Sequence, residues 1–326
     1  MKDLSDQNPP EAVVVMACQN ATEFLSTLSP RNERWCLGPN PDWLYRGHAD
    51  ARWKLVPKAL RADGWGTIQK EFTDKYLPLP NTADAQILAE YSVINYFVEA
   101  ADRQGISLPE DSIRFREVFV KWSNENPVHS AFLTPRKWPS PELLPIMAAA
   151  QHHGVPTRLL DWSRRSYIAA YFAASEFAKR LWEYQLLTDR GCSIESDISE
   201  IAVWSLSTEY LHMQPVGVEV IKAPAGANPN LAAQKGIFTL VRETEKRGHP
   251  ANTQGLEERL EADAFPPPLV KVTMPIRDVP KLLRFLSAEY VDAASMFPGL
   301  DGVAKRVFEQ PLWDSYRMRQ EKKQRD

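Results

Sequence analysis

Twelve consecutive residues, Gln151-His152-His153-Gly154-Val155-Pro156-Thr157-Arg158-Leu159-Leu160-Asp161-Trp162, constrain this chain more than any other stretch. They gather two imidazoles, a hydroxyl, a guanidinium and a carboxylate around a turn, and they run into an apolar helix from Tyr167 to Phe177. Polar chemistry set against a rigid, core-forming element is what a site requires. Gly154 and Pro156 end the preceding helix, Gly because it accepts left-handed angles and Pro because it drives its predecessor into extended geometry. Thr157 to Asp161 carries Leu159 and Leu160, which predicts a short buried strand or extended crossing. Asp161 or Ser163 then caps the next helix, where Ile168, Tyr171, Phe172, Ser175 and Ala178 share one face. Two readings of His152, Arg158 and Asp161 stand side by side. In one, Arg158 pairs with Asp161 in a buried network that ties helix to sheet. In the other the three are reactive groups, a reading that His152 favours.

The chain has 326 residues, enough for one large domain with insertions or for two tightly joined lobes. A net charge of −3 and a pI of about 6.1 argue against a strongly basic nucleic-acid binder and leave room for a local basic groove. Cys18, Cys36 and Cys192 are scattered without metal-type spacing, which suits a reducing compartment and predicts no metal centre. No apolar run reaches the length of a membrane span, and the first ten residues carry no hydrophobic signal segment. The expected location is the cytoplasm, with no membrane partner.

Along the chain, residues 1–11 read as a flexible tail and Ala12 to Leu28 as a first helix. Trp43-Leu44-Tyr45 predicts a strand that exits through Arg46-Gly47. Arg46 there suits an anion or phosphate, with Gly47 letting a ligand approach the backbone; the bland alternative pairs Arg46 with a carboxylate such as Asp161. Residues 62–82 read as a surface excursion. Ala83 to Asp102 is an amphipathic helix whose apolar run contains Glu90. Ser112 to Trp122 and Pro141 to Gln151 are further helices, and residues 184–199 a polar connection. Strands follow at Ile201–Leu206, Val218–Ile221, Ile237–Val241 and Leu269–Met274, with a capped turn at Asn228–Gly236 and an exposed excursion over 242–267. Val279 to Tyr290 and the segment from Val303 are helical, and 313–326 is a charged tail. The pattern predicts an α+β domain over 12–312: a mixed, mostly antiparallel sheet flanked by helices, with a helical insertion around 83–151. Neither a Gly-x-Gly-x-x-Gly fingerprint nor a P-loop is present.

The residues Tyr45-Arg46-Gly47, Leu55-Val56-Pro57 with Arg61, the stretch from Gln151 to Trp162, Ala169-Ala170-Tyr171-Phe172-Ala173, Gln234-Lys235-Gly236-Ile237-Phe238-Thr239 and Met296-Phe297-Pro298-Gly299-Leu300-Asp301-Gly302 resemble the FRG-domain family in order, from about residue 40 to 305. Tyr45 stands where the family's name has Phe, and Gly299 where an acidic residue is common. The family commonly has an aromatic at the position of His153, which makes that residue a packing position. Such proteins occur widely in bacteria and phage. The same blocks are also similar, more weakly, to ADP-ribosyltransferases, which implies a possible ADP-ribosyltransferase-like fold and NAD as the cofactor. In that resemblance Tyr45, Arg46 and Gly47 open the NAD site, and Arg46 grips the pyrophosphate or ribose. His152 or Thr157 orients the nicotinamide ribose, Tyr171 or Phe172 stacks on the nicotinamide, and Gln234 sits where a carboxylate is usual. An amide polarises a ribose hydroxyl poorly, so Asp161 or Glu219 would have to substitute.

Three functions compete on these residues. The first is an NAD-dependent ADP-ribosyltransferase-like effector in bacterial toxin or phage defence, with His152, Arg158, Asp161 and Gln234 as catalytic candidates and a nucleic-acid or protein acceptor. The second is a metal-independent nuclease or phosphodiesterase, with His152 or His153 as general base and Arg46 and Arg158 on phosphate. The third is a non-catalytic module that binds a nucleotide in the same pocket.

Overall fold

A computed structural model describes residues 13–36, 43–61, 82–120, 134–188, 198–213, 217–222, 228–260 and 267–323. Their elements in chain order are β1 (Val13–Ala17), α1 (Ala21–Leu28), β2 (Trp43–His48), α2 (Ala83–Arg103), α3 (Ile113–Val120), α4 (Leu144–His152), β3 (Leu159–Ser163), α5 (Ser166–Thr188), β4 (Glu200–Ser207), α6 (Thr208–Met213), β5 (Val218–Ile221), α7 (Pro229–Ala233), β6 (Gly236–Val241), α8 (Leu256–Arg259), β7 (Leu269–Pro275), α9 (Val279–Ala288), α10 (Ala293–Met296) and α11 (Leu300–Lys323). The strands form one seven-stranded sheet in the order β1-β7-β4-β2-β3-β6-β5. Only β1 and β7 run parallel; the other neighbours are antiparallel. The chain is thus the α+β domain with a mixed, mostly antiparallel sheet that the sequence predicts.

The N-terminal segment differs from the single helix expected over 12–28. Val13, Val14 and Val15 are β-branched and pair with Leu269, Val270 and Lys271 as an edge strand. The helix begins only at Ala21, because the Asn20 side chain accepts from the backbone N–H of Thr22 and Glu23 at 3.0 and 3.1 Å. The described residues 242–260 also depart from the exposed excursion expected over 242–267. Glu243, Leu256 and Leu260 are buried, and Leu256 N–H donates to Leu55 O at 3.0 Å, so their apolar residues cover the sheet. The segment 313–326 is helical as far as Lys323. The expected tail 1–11 and, except for Thr82, the excursion expected over 62–82 lie outside the described residues. Among the described residues no helix is long and apolar enough to cross a membrane.

Three apolar clusters position the site. On one face α1, α5, α9 and α10 pack on β2, β4 and β7 through Phe24, Tyr45, Ala173, Val203, Val272 and Leu282. On the opposite face Leu44, Leu160, Trp162, Trp204 and Leu206 meet Tyr210, Leu256 and Leu260. At the other end of the sheet α2 and α4, with Trp138, cover Leu159, Phe238 and Leu240.

The helix α5 comes exceptionally close to β2. A Cβ built on Gly47 would stand 2.1 Å from Ala169 O and 2.6 Å from Ala173 N. The glycine and the run Ala169, Ala170, Ala173, Ala174 are therefore one device, a strand and a helix whose backbones nearly touch. This revises the role expected of Gly47, since it is helix α5 that approaches the backbone there.

The sheet is weakest at its centre. Strand β2 matches β4 over six residue pairs and β3 matches β6 over five, whereas β2 and β3 meet at Tyr45↔Ser163 alone. Beyond that pair the two strands part, and backbone groups on both edges need other partners.

Candidate functional site

Arg46 fills the parting. Its Nη1 donates to the backbone carbonyl of Asp161 at 2.7 Å, supplying a bond that β2 does not make to β3. Its Nε donates to His48 Nε2 at 3.1 Å, and Nη1 lies 3.5 Å from the Asp161 carboxylate. His48 can accept only as a neutral ring. Burial holds its pKa well below the usual imidazole value, and the Arg46 cation beside it pushes the same way. The Nδ1 proton then points to Trp53 O, 3.3 Å away.

Asp161 is aimed from the other side. Its carboxylate is 58% exposed, and it accepts from Gln151 Nε2 at 2.6 Å. Gln151 is oriented in turn by the buried Thr157, whose hydroxyl donates to Gln151 Oε1 and accepts from Leu159 N–H at 3.2 Å. A chain of polar contacts therefore runs from Thr157 through Gln151, Asp161 and Arg46 to His48.

A cavity of about 320 Å³ opens on this chain, in the size range of small-molecule sites. Tyr45, Arg46 and Gly47 of β2, His152 at the end of α4, Asp161 of β3, Phe172 of α5 and Gln234 all line it. The ring of Phe172 stands edge-on to that of Phe297, centroids 6.2 Å apart, and Lys305 Nζ caps the Phe297 face at 3.7 Å from its centroid. Gln234 Nε2 donates to Met296 O at 3.2 Å, which leaves its side-chain oxygen without a partner among the described residues. His152 Nε2 lies 3.1 Å from the Asn230 amide. Burial, and then the neighbouring His153, lower its pKa, with Asp161 acting in the opposite sense.

Seven of the residues singled out in the sequence thus meet: Tyr45, Arg46, Gly47, His152, Asp161, Phe172 and Gln234. Three others do not line the cavity. Arg158 does not pair with Asp161. It is wholly buried and grips Glu90 of α2 through two bonds, Nε to Oε2 at 2.7 Å and Nη2 to Oε1 at 2.9 Å. Strand alternation explains the difference, since Arg158 and Asp161 are three residues apart and point to opposite faces. Tyr171 is core as well. Its hydroxyl donates to Glu309 Oε1 of α11 at 2.6 Å, and burial followed by that carboxylate raises its pKa far above the phenol range. Thr157 is buried and reaches the cavity only through Gln151. Of the two substitute carboxylates, Glu219 sits on the edge strand β5 in an ion pair with Arg242, remote from the lining. His153, expected to pack, is exposed and meets the His152 ring edge-on at 5.3 Å.

Gln151, His48, Glu176 and Phe297 are not among the site residues expected from sequence, and of these Gln151, Glu176 and Phe297 line the cavity. Gln151 and Phe297 lie inside quoted motif blocks and could have been found there. His48 has no such signal apart from its position two residues after Arg46, and Glu176 lies about one turn beyond Phe172 on α5.

No curated protein and no solved structure matches the chain. Residues 41–180 match the family model of the FRG domain, a segment that holds β2, α2 to α4, β3 and most of α5, and so the main scaffold of the cavity. Over that segment the chain carries an FRG domain.

Proposed function

We propose that the cavity at the β2–β3 parting binds the nicotinamide-ribose half of NAD and that the chain is an ADP-ribosyltransferase-like enzyme. One observation carries this reading. Residues from five separate stretches converge there as a guanidinium, a carboxylate, an imidazole, an amide oxygen and two aromatic rings, a set that suits a positively charged ring joined to a ribose and a pyrophosphate.

NAD would supply an ADP-ribosyl group on a pyridinium leaving group. Phe172 and Phe297 frame the ring, and the Gln234 oxygen accepts from its carboxamide. Arg46 already holds the sheet edge and His48, so its Nη2, which has no partner among the described residues, is fixed in place to meet phosphate. Asp161 takes the part for which Gln234 is chemically unsuited. Its carboxylate, set by Gln151, faces the positive charge that develops at ribose C1″ as the bond to the nicotinamide nitrogen breaks and nicotinamide leaves with the electron pair. An acceptor oxygen or nitrogen forms the new bond to C1″ and gives up its proton to His152, which its lowered pKa keeps neutral and whose Nε2 exchanges the Asn230 amide for that proton.

The phosphodiesterase reading loses ground, because burial against Glu90 removes Arg158 as a phosphate-binding cation. A purely binding pocket is separated from an enzyme by one assay, release of nicotinamide from NAD by the purified chain. The expected outcome is release by the wild type and a drop of at least about a hundredfold in Asp161→Asn, with an unchanged melting temperature because the side chain is exposed. Binding without release by the wild type would leave a nucleotide-binding module, and equal release by both proteins would remove Asp161 from the chemistry.

A further inference from the structure

A second cavity, about 780 Å³, lies against the first. The two share His152, Leu231 and Phe238 as common wall. The second is built from the C-terminal half of α2, the loop that follows it, the outer face of α4 and the start of α7. Its floor is apolar, with Phe97, Ala148 and Leu231. Ile106 stands at its margin, 60% exposed. The polar groups of the cavity are the amides of Gln104, Asn228 and Asn230, the hydroxyl of Ser107 and the rings of His152 and His153. No Asp, Glu, Lys or Arg lines it among the described residues.

An apolar slot rimmed by amides, a hydroxyl and imidazoles, with no carboxylate, ammonium or guanidinium among the described residues, selects a planar ring that has hydrogen-bonding atoms at its edge. The first cavity, at about 320 Å³, is at the small end for even a drug-sized ligand, and a dinucleotide is larger than that. We propose that the second cavity is the site of the adenosine end of the dinucleotide. The proposal rests on the NAD reading above and assigns the half of the molecule that the first cavity does not accommodate. In this arrangement His152 stands where the two halves join, and Arg46 holds the phosphates from the β2 side.

Adenosine itself is the probe, so the proposal is tested apart from turnover. Calorimetric titration with adenosine should show binding to the wild type. Ala149→Trp on α4 and Ala100→Trp on the exposed side of α2 each fill the cavity without altering a fully buried position, and each should weaken adenosine at least tenfold. Asp161→Asn should leave adenosine affinity unchanged while weakening nicotinamide mononucleotide. Absence of adenosine binding to the wild type, affinity unaffected by both tryptophans, or loss in Asp161→Asn would each overturn the assignment. Nicotinamide mononucleotide bound by the wild type in any of those cases would leave the NAD reading standing, whereas adenosine bound as described with no response to nicotinamide mononucleotide would sink that reading and keep a nucleoside site.

Discussion

Arg46 is held by groups of unlike character: a neutral imidazole, a backbone carbonyl and a carboxylate. The imidazole matters for stability as well as for geometry. Because burial depresses the folded-state pKa of His48, its contribution is present above the unfolded value of about 6.5 and is lost as pH falls toward the folded value, since the unfolded chain then binds a proton that the folded chain refuses. Unfolding free energy should therefore fall below about pH 6.5 by as much as about 1.4 kcal/mol per pH unit. His48→Gln, which keeps an acceptor for Arg46, should lose most of this slope in denaturant titrations between pH 5 and 8. Identical slopes would show that His48 titrates freely. The sequence made Arg46 legible as an arginine leaving an apolar strand ahead of a glycine, together with the bland pairing to Asp161 that the structure contains. It did not make its environment legible, since no pattern says that His48 turns inward to meet it.

At the scale of elements, two contacts decide where the site residues stand. The first is α5 against β2. Gly47→Ala would drive a methyl into the Ala169 carbonyl and the Ala173 nitrogen, backbone atoms that no rotamer change can move. A loss of about 1–3 kcal/mol or more is expected, read as a lower denaturation midpoint, and a midpoint equal to wild type would deny the close approach. The second is α2 against β3 through Arg158 and Glu90. Trp138 Nε1 and Gln86 Nε2 also donate to that carboxylate, at 2.9 and 2.6 Å. Arg158→Met would strand a buried carboxylate and cost about 3–5 kcal/mol, whereas the double variant Arg158→Met, Glu90→Leu should recover part of that, less about 1–3 kcal/mol for the Trp138 N–H it leaves without an acceptor. Loss of activity in the single variant at unchanged stability would return Arg158 to the site. The helix α2 was plain from its periodicity, and Glu90 stood out in it as an acid within an apolar run. What could not be read was its partner, because Arg158 lies 68 residues away and Asp161 offered a nearer carboxylate in sequence.

For the whole molecule the organising fact is a sheet whose two halves join at one residue pair. Most strands of each half stand out as short apolar runs, apart from β1, whose three valines run on into a helix signal. Their order was not visible, because β2 pairs with β4 and β3 with β6 across long stretches of helix. Seven of the motif residues nonetheless share one cavity, since the blocks that stood out in the sequence are those that border the parting. Tyr171 and Arg158 stood out for the other reason a residue can, a buried polar partner. The direct test of the account is a calorimetric titration of NAD into the wild type and into Arg46→Ala, with circular dichroism to confirm the fold of each. The account predicts NAD binding by the wild type and a loss of at least tenfold in the variant, with both proteins folded. Equal affinity in the two, or no binding by the wild type, would contradict it.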